Sequence, residues 1–422
     1  MKTRLQINIT VIGTVIFLLT GFNLIAQETW EKSESNPVLT SAPWSSSVAS
    51  PVVIFEDDTF KMWFGGDVVN GRAIGYAESP DGINWVTNVE PVIQGGNLGD
   101  WDASKYPGSV IRINDTLKMW YSGSSDNFGY DISIGYAWSL DNIDWYVLPN
   151  KVLEHGDIGT WEETGVFQPV VYYDGTLYHM WYGGFEGTTL YDPMQEGYAT
   201  STDGIYWVKD TDNNPVITLG PSESFYDTWV IGTSVLYIED KYYIWFAGWD
   251  GLGTNPFKYW SIGYATSLNG SDWIVENADM PVIDYGEPGE WDDIWARYCS
   301  VLIHEDQLKM WYDGKGYGVK IGYATDSYVG IKEKNDPLLL NVVISPNPFY
   351  TSTTIEYNLK KSSIVQMSIF NHLGKQVDFI QQIQASGQQQ ITWNALGYPS
   401  GVYYFRIQAG EQVASGKMLL MK

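Results

Sequence analysis

Leu117-Lys118-Met119-Trp120-Tyr121-Ser122 and, one loop later, Ser133-Ile134-Gly135-Tyr136-Ala137-Trp138 make up one copy of a phrase that the chain repeats five times. Its tryptophan recurs as Trp63, Trp120, Trp181, Trp245 and Trp311, each beside a second aromatic residue. Its Gly-Tyr-Ala strand recurs at Gly75, Gly135, Gly197, Gly263 and Gly322. The interval is roughly 57 to 66 residues, a length typical of propellers and related arrays. Such a unit buries its apolar faces only against its neighbours, so five copies describe one architecture rather than five domains.

The second copy predicts a complete blade. Ser109–Ile113 alternates as a strand, Asn114-Asp115 turns the chain, and the two segments quoted above form the next two strands. Ser139-Leu140-Asp141-Asn142 then leads into a fourth strand around Trp145. Four antiparallel strands per unit is the pattern of a propeller blade. The fifth copy lacks its fourth strand, whereas Trp30 precedes Asn36-Pro37-Val38-Leu39 as Trp85 precedes Glu90-Pro91-Val92-Ile93. The expected fold is therefore all-β. A five-bladed β-propeller over residues 28–330 is closed by the N-terminal strand, which leaves no open sheet edge.

The turn Ser79-Pro80-Asp81-Gly82, with Trp85, returns at Ser201 with Trp207 and at Ser267 with Trp273; Ser139-Leu140-Asp141-Asn142 with Trp145 is a variant. Asp or Asn caps the turn, Gly takes positive φ and Trp packs between blades, so the motif reads as structural. It resembles the Asp-boxes of sialidases but is one residue shorter.

The net charge of -26, without a basic run, argues against nucleic acid and anionic membranes as partners. Lys2 and Arg4, an apolar run from Ile7 to Ile25 and Ala26 read as a secretory signal peptide over residues 1–26. An N-terminal membrane anchor is the alternative reading. Cys299 is the single cysteine and reads as a small buried hydrophobe, and the four histidines lack metal-ligand spacing. No cofactor is expected, although a central divalent cation held by acids stays open. A monomer is expected.

After a linker at 331–340 the composition changes. Ser345-Pro346-Asn347-Pro348, Ser368-Ile369-Phe370-Asn371-His372-Leu373-Gly374-Lys375, Ser400-Gly401-Val402-Tyr403-Tyr404 and the terminal Lys417-Met418-Leu419-Leu420-Met421-Lys422 follow in order. Together they make residues 341–422 resemble the C-terminal sorting domain of proteins exported by the type IX secretion system of Bacteroidota. The resemblance implies a small β-sandwich, handling by that machinery, and a secreted or surface-attached protein.

In a propeller, the loop entering the first strand and the loop between strands two and three share one face. That face collects Asp102, Glu163, Asp227 and Asp293 from the first set of loops, and Asp67, Asp126, Glu186, Asp250 and Asp313 from the second. In a pseudo-symmetric array, positions where the copies disagree are the better site candidates. Counting back from Pro51, Ser109, Pro169, Ser234 and Ser300, these are Lys105, Tyr106, Glu163, Trp229, Trp295 and Arg297. Aromatic faces cover sugar C–H surfaces, and carboxylates bind hydroxyls or act as general acid and base. A carbohydrate ligand is expected. Asp102, Glu163, Asp227 and Asp293 are the candidate catalytic acids, and Lys105, Tyr106, Trp229, Trp295 and Arg297 the candidate substrate contacts.

The blade phrases Met-Trp-Tyr-x-Gly and Ile-Gly-Tyr-Ala-Thr-Ser resemble those of five-bladed glycosidases of the arabinanase, levansucrase and invertase type. That resemblance implies an Asp on the first inner strand, an Asp on the second and a Glu on the third. Here Ser45 to Ile54 contains no carboxylate and the third strand reads Phe167-Gln168-Pro169. Two functions follow as expectations: a secreted glycosidase, or a non-catalytic propeller that binds glycans or surface partners.

Overall fold

The computed structural model describes residues 30–326 and 342–421, apart from 70, 98, 126–130, 188–191, 252–258, 277, 279, 306, 360, 372–374 and 410–411. The expected signal peptide and linker, with Asp126 and His372, lie outside the described residues. The chain divides into two units, Met1–Tyr328 and Val329–Lys422. Every regular element described is a β-strand.

In the first unit a short strand β1 (Glu31–Lys32) precedes β2 (Val48–Glu56), β3 (Thr59–Val68), β4 (Gly71–Ser79) and β5 (Val86–Thr87). The second repeat comprises β6 (Ser104–Ile113), β7 (Thr116–Ser124), β8 (Ser133–Ser139) and β9 (Trp145–Val147). The third comprises β10 (Gly165–Tyr173), β11 (Tyr178–Phe185), β12 (Met194–Ser201) and β13 (Val208–Lys209). The fourth comprises β14 (Trp229–Ile238), β15 (Lys241–Trp249), β16 (Trp260–Ser267) and β17 (Trp273–Glu276). The fifth has β18 (Trp295–His304), β19 (Gln307–Gly316) and β20 (Gly318–Asp326). Each repeat is an antiparallel meander, and β1 pairs antiparallel with β20 through Glu31↔Thr325 and Lys32↔Ala324. Single parallel bridges, Met194↔Trp229 and Trp260↔Trp295, join the third repeat to the fourth and the fourth to the fifth.

A β-bulge interrupts every first strand, immediately before the residue opposite the repeat tryptophan in the first four repeats and one residue earlier in the fifth. That opposite residue is Val52, Ser109, Val170, Ser234 or Ser300. Alignment by sequence on Pro51 and Pro169 is therefore one residue early in the first and third repeats. Both prolines fall inside the bulge, where the missing N–H breaks no ladder bond. First strands also bond one another: Ser300 Oγ accepts from Val53 N (2.9 Å) and Ser234 Oγ from Val301 N (2.9 Å). A narrow channel of about 100 Å³ is lined by residues of β2, β6, β10, β14 and β18.

The repeat tryptophans pack in a cycle. Trp311 meets Trp85, Trp63 meets Trp145, Trp120 meets Trp207, Trp181 meets Trp273 and Trp245 meets Trp30, all edge-to-face. In three of these pairs one turn carbonyl accepts both indoles. Gly82 O takes Trp85 Nε1 (3.0 Å) and Trp311 Nε1 (2.7 Å), and Gly204 and Gly270 do the same for Trp207 with Trp120 and Trp273 with Trp181. The turn needs glycine for a second reason besides its φ of 76°: a Cβ on Gly82 would sit 2.7 Å from the Trp311 ring.

Asn142 stands at that turn position in the second repeat, with φ 75°, and there Trp63 Nε1 is buried without a partner. A Cβ at the equivalent Gly82, Gly204 or Gly270 would come to 2.7, 2.9 or 3.1 Å from the neighbouring indole, and this crowding accounts for the missing bond. Asn142→Gly is expected to restore the bond and relax the backbone, raising stability by about 1 kcal/mol in denaturant melts. An unchanged or lower stability would refute this account of the orphaned indole.

The second unit forms two sheets. One contains β21 (Val342–Ser345), β22 (Ser352–Leu359) and β25 (Gly387–Asn394). The other contains β23 (Ser363–Asn371), β24 (Gln376–Gln384), β26 (Gly401–Ala409) and β27 (Gln412–Leu420), in the order β24-β23-β26-β27. Ile355, Tyr357 and Trp393 of the first sheet share one core with Met367, Phe405 and Met418 of the second. Alternation of buried and exposed residues, as along β22 and β26, turns one face of each sheet inward.

Candidate functional site

In an antiparallel meander the start of the first strand, the end of the second and the start of the third fall at the same end. At that end of the first unit lies a cavity of about 330 Å³, within the usual range for small-ligand sites. Three tiers of equivalent positions build it. Third strands contribute the residue three before each Gly-Tyr: Arg72, Ile132, Met194, Trp260 and Val319. First strands contribute Ala49, Tyr106, Phe167 and Arg297, which face Gly65, Ser122, Gly183 and Asp313 across the ladder. The third tier holds Phe185 and Lys315 at the ends of β11 and β19, with Trp229 and Trp295 at the starts of β14 and β18.

The cavity walls are aromatic and its charges positive. The Arg297 guanidinium carbon lies 4.1 Å from the Trp295 ring centroid and 4.5 Å from that of Tyr298. Arg72 stacks over Tyr106 at 5.1 Å, and Lys315 Nζ lies 4.4 Å over Trp295. Asp313, fully buried, receives Arg297 Nε at 3.1 Å and the Ser50 N–H at 3.2 Å. Burial raises the Asp313 carboxyl above the usual carboxylate range, against the pull of Arg297 and that N–H. Lys315 moves below the usual lysine range, first through burial and then through the charges of Arg297 and Arg72. Among the described residues no carboxylate lines the cavity.

Tyr106, Trp229, Trp295 and Arg297 come together here. Lys105 does not line the cavity: it is buried, bonded to Asp102 Oδ2 at 3.0 Å and to the Asp102 carbonyl at 2.8 Å. The four candidate acids also lie outside the lining, each tied within its own repeat. Asp102 accepts the Tyr121 hydroxyl at 2.9 Å besides Lys105. Glu163 accepts Gly159 N–H, Asp227 accepts Glu223 N–H and Asp293 accepts Gly289 N–H, so each closes its own loop.

The loops that enter the first strands carry a Trp-acid dipeptide, Trp101-Asp102, Trp161-Glu162 and Trp291-Asp292, which follows a simple chemical rule. Asp102, Glu162 and Asp292 occur where the second strand carries Tyr121, Tyr182 and Tyr312, and each also meets a lysine: Lys105, Lys209 or Lys32. Where that strand carries Phe64 or Phe246, Ser45 or Tyr226 replaces the acid against the glycine that follows. The carboxylate is present where a buried hydroxyl needs an acceptor. The first segment thus lacks an acid because Phe64 has no hydroxyl to satisfy.

Two further groups of chemical interest are sealed in the interior. Cys299 is buried against Thr233 and its thiol is pushed up to about 12 by burial, which keeps it protonated and inert. Glu196 occupies the position of Ile74, Ile134, Ile262 and Ile321, fully buried, with one oxygen on Gly232 N–H (2.7 Å) and the other unpartnered. Burial raises its carboxyl well above the ordinary range. Among the described residues no group of three or more His, Cys, Asp or Glu side chains is placed to hold a metal ion.

Arg72, Trp260 and Lys315 went unrecognised in the sequence because comparison of the repeats covered only their first strands. The same comparison applied three residues before Gly-Tyr, and four after the repeat tryptophan, isolates all three.

Residues 343–421 match the family described as a secretion system C-terminal sorting domain. The protein is exported. Its second unit is handled by the type IX secretion machinery and directs it to the medium or the cell surface. No curated protein sequence matches the chain. The first unit is similar in fold to solved glycoside hydrolases. One structure comes from work on mannoside phosphorylases of family GH130, a family containing glycoside hydrolases that target β-1,2 mannosidic linkages in Candida mannan. It has 16% identity and a TM-score of 0.57, covering 71% of this chain and 94% of that one. A glycosyl hydrolase from Bacteroides ovatus has 15% identity and a TM-score of 0.55, covering 71% and 94%. A thermostable family-43 glycoside hydrolase has 19% identity and a TM-score of 0.52, covering 66% and 88%. At such identities the likeness concerns fold alone.

Proposed function

We propose that the first unit is a five-bladed propeller, closed by β1, that binds glycan in its aromatic cavity after export. One observation carries the choice of binding over hydrolysis: among the described residues no carboxylate lines the cavity. Glycoside hydrolysis ordinarily uses two carboxyl groups about 5–10 Å apart across the scissile bond. Asp313 is the acid placed behind the cavity wall, and Arg297 and Ser50 N–H already occupy it. Where the glycosidase resemblance implied Asp, Asp and Glu, the inner strands present Ala49, Tyr106 and Phe167. Aromatic faces with a few fixed polar groups suit sugar recognition without bond cleavage.

The likeness to glycoside hydrolases favours a second reading, catalysis through Asp102 and Glu163. Both are tested by offering the exported chain plant and algal polysaccharides and scoring retention and sugar release separately. Retention without release is the expected result. Release that disappears in Asp102→Asn or Glu163→Gln would overturn the binding reading in favour of the enzyme. Absence of both retention and release on every glycan would sink the carbohydrate assignment itself.

A further inference from the structure

We propose that the cavity selects an acidic sugar, whose carboxylate or sulfate oxygens are held by Arg72, Arg297 and Lys315. This rests on the cavity being a glycan site and names the class of glycan. Two of the cations come from the fifth repeat and one from the first. The corresponding positions elsewhere include Ile132, Met194, Trp260, Tyr106, Phe167 and Phe185, none of them charged. The cations are thus a local departure from a mostly uncharged set, in which Asp67, at the Lys315 position of the first repeat, is the other charged residue and pairs with Arg72, in a chain of net charge -26.

Their counter-charges leave much of the positive field unspent. Arg297 is joined to Asp313, and Arg72 to Asp67 (3.0 Å), in each case through Nε. Those pairs leave the terminal guanidinium nitrogens available for a ligand's oxygens. Lys315 forms no ion pair among the described residues, and its affinity for protons is depressed first by burial and then by the charges of Arg297 and Arg72 beside it. An anion placed among the three would relieve that repulsion. A neutral sugar would not.

The cations are also held in place before a ligand arrives. Arg297 packs on Trp295 and Tyr298, Arg72 on Tyr106 and Lys315 on Trp295, so little side-chain freedom remains to be lost on binding. A free inorganic anion would use the charges but not the aromatic walls. A neutral glycan would use the walls but not the charges. A sugar carrying an oxyanion uses both.

The test titrates the full exported chain with four probes: oligogalacturonate, a sulfated galacto-oligosaccharide, a neutral galacto-oligosaccharide of equal length, and inorganic phosphate. One of the two anionic glycans is expected to bind at least about tenfold tighter than the neutral one, the order expected of a charge-assisted hydrogen bond. Preference for the carboxylated or the sulfated probe supports the proposal and names the oxyanion. Lys315→Met and Arg72→Met are expected to bring that probe down to the neutral level without lowering the melting temperature. In the unsubstituted protein, affinity is expected to fall with rising pH before the ordinary lysine range is reached, and Lys315→Met is expected to abolish this dependence. Equal binding of the neutral glycan, phosphate binding as tightly as the glycan, or anionic binding untouched by Lys315→Met would each overturn the proposal. Retention of neutral glycans alone would refute the charge selection and leave the glycan-binding reading standing.

Discussion

Arg297→Met is expected to destabilise the first unit by about 3–5 kcal/mol near neutral pH, the cost of leaving a buried carboxylate without its partner. Asp313 is wholly buried and its ion pair is to Arg297, with Ser50 N–H as the other ligand. The other repeats carry Gly65, Ser122, Gly183 and Ala247 at the Asp313 position, so a small residue fits the site sterically. Arg297→Met with Asp313→Ala is accordingly expected to recover most of the loss, to within about 1 kcal/mol. Denaturant melts of the single and double variants decide this. A single variant within about 0.5 kcal/mol of the parent would mean that the pair is not a unit.

The same pair predicts a pH dependence. The folded carboxyl of Asp313 holds its proton more tightly than the usual value near 3.9 of an unfolded aspartate. Its contribution to stability is fully present below the unfolded value and is lost as pH rises through the folded one. Removing Arg297 takes away an influence that lowers the folded value, so the folded value rises further. The deficit of Arg297→Met should therefore shrink as pH falls towards 4. A deficit that is constant or larger in acid would contradict the assignment.

Trp311→Ala is expected to cost about 3–5 kcal/mol, the range for removing a large buried aromatic side chain. Trp311 is completely buried, packs on Phe60, Trp85 and Tyr323, and donates to Gly82 O across to the first repeat. The melting temperature of the first unit should fall by on the order of 10 °C. Trp63→Ala should cost less, because the Trp63 indole N–H already lacks a partner and its loss breaks no hydrogen bond. Equal losses at the two positions would show that the shared-carbonyl bond contributes little, and a loss below about 1 kcal/mol at Trp311 would contradict its central place in packing.

Much of the repeat architecture was legible because local chemistry recurs. Alternation marked the strands, Ser-x-Asp-Gly marked the turns, and the Trp30 segment was recognisable as the partner the fifth repeat lacked, which β1 provides against β20. The bulges were not legible. A bulge shifts the register by one residue without altering the alternation that flanks it, so Pro51 and Pro169 were set one position early. Part of the cavity was legible for a related reason. Tyr106, Trp229, Trp295 and Arg297 differ visibly between first strands, whereas Arg72 and Lys315 meet them only because antiparallel meanders bring three strand ends together.

By itself the sequence determined an all-β chain of five like units with a C-terminal export domain, since strand period, turn chemistry and ordered motifs are local properties. Only the tertiary structure decided where the charges act. It drew Asp102 onto Tyr121 and Lys105, closed three loops with Glu163, Asp227 and Asp293, and left Arg72, Arg297 and Lys315 facing one cavity. A carboxylate's work depends on which donor reaches it first. In these loops, hydroxyls, lysines and backbone N–H groups of the same unit did so, and the face that reads as acidic in sequence surrounds a cationic cavity in space.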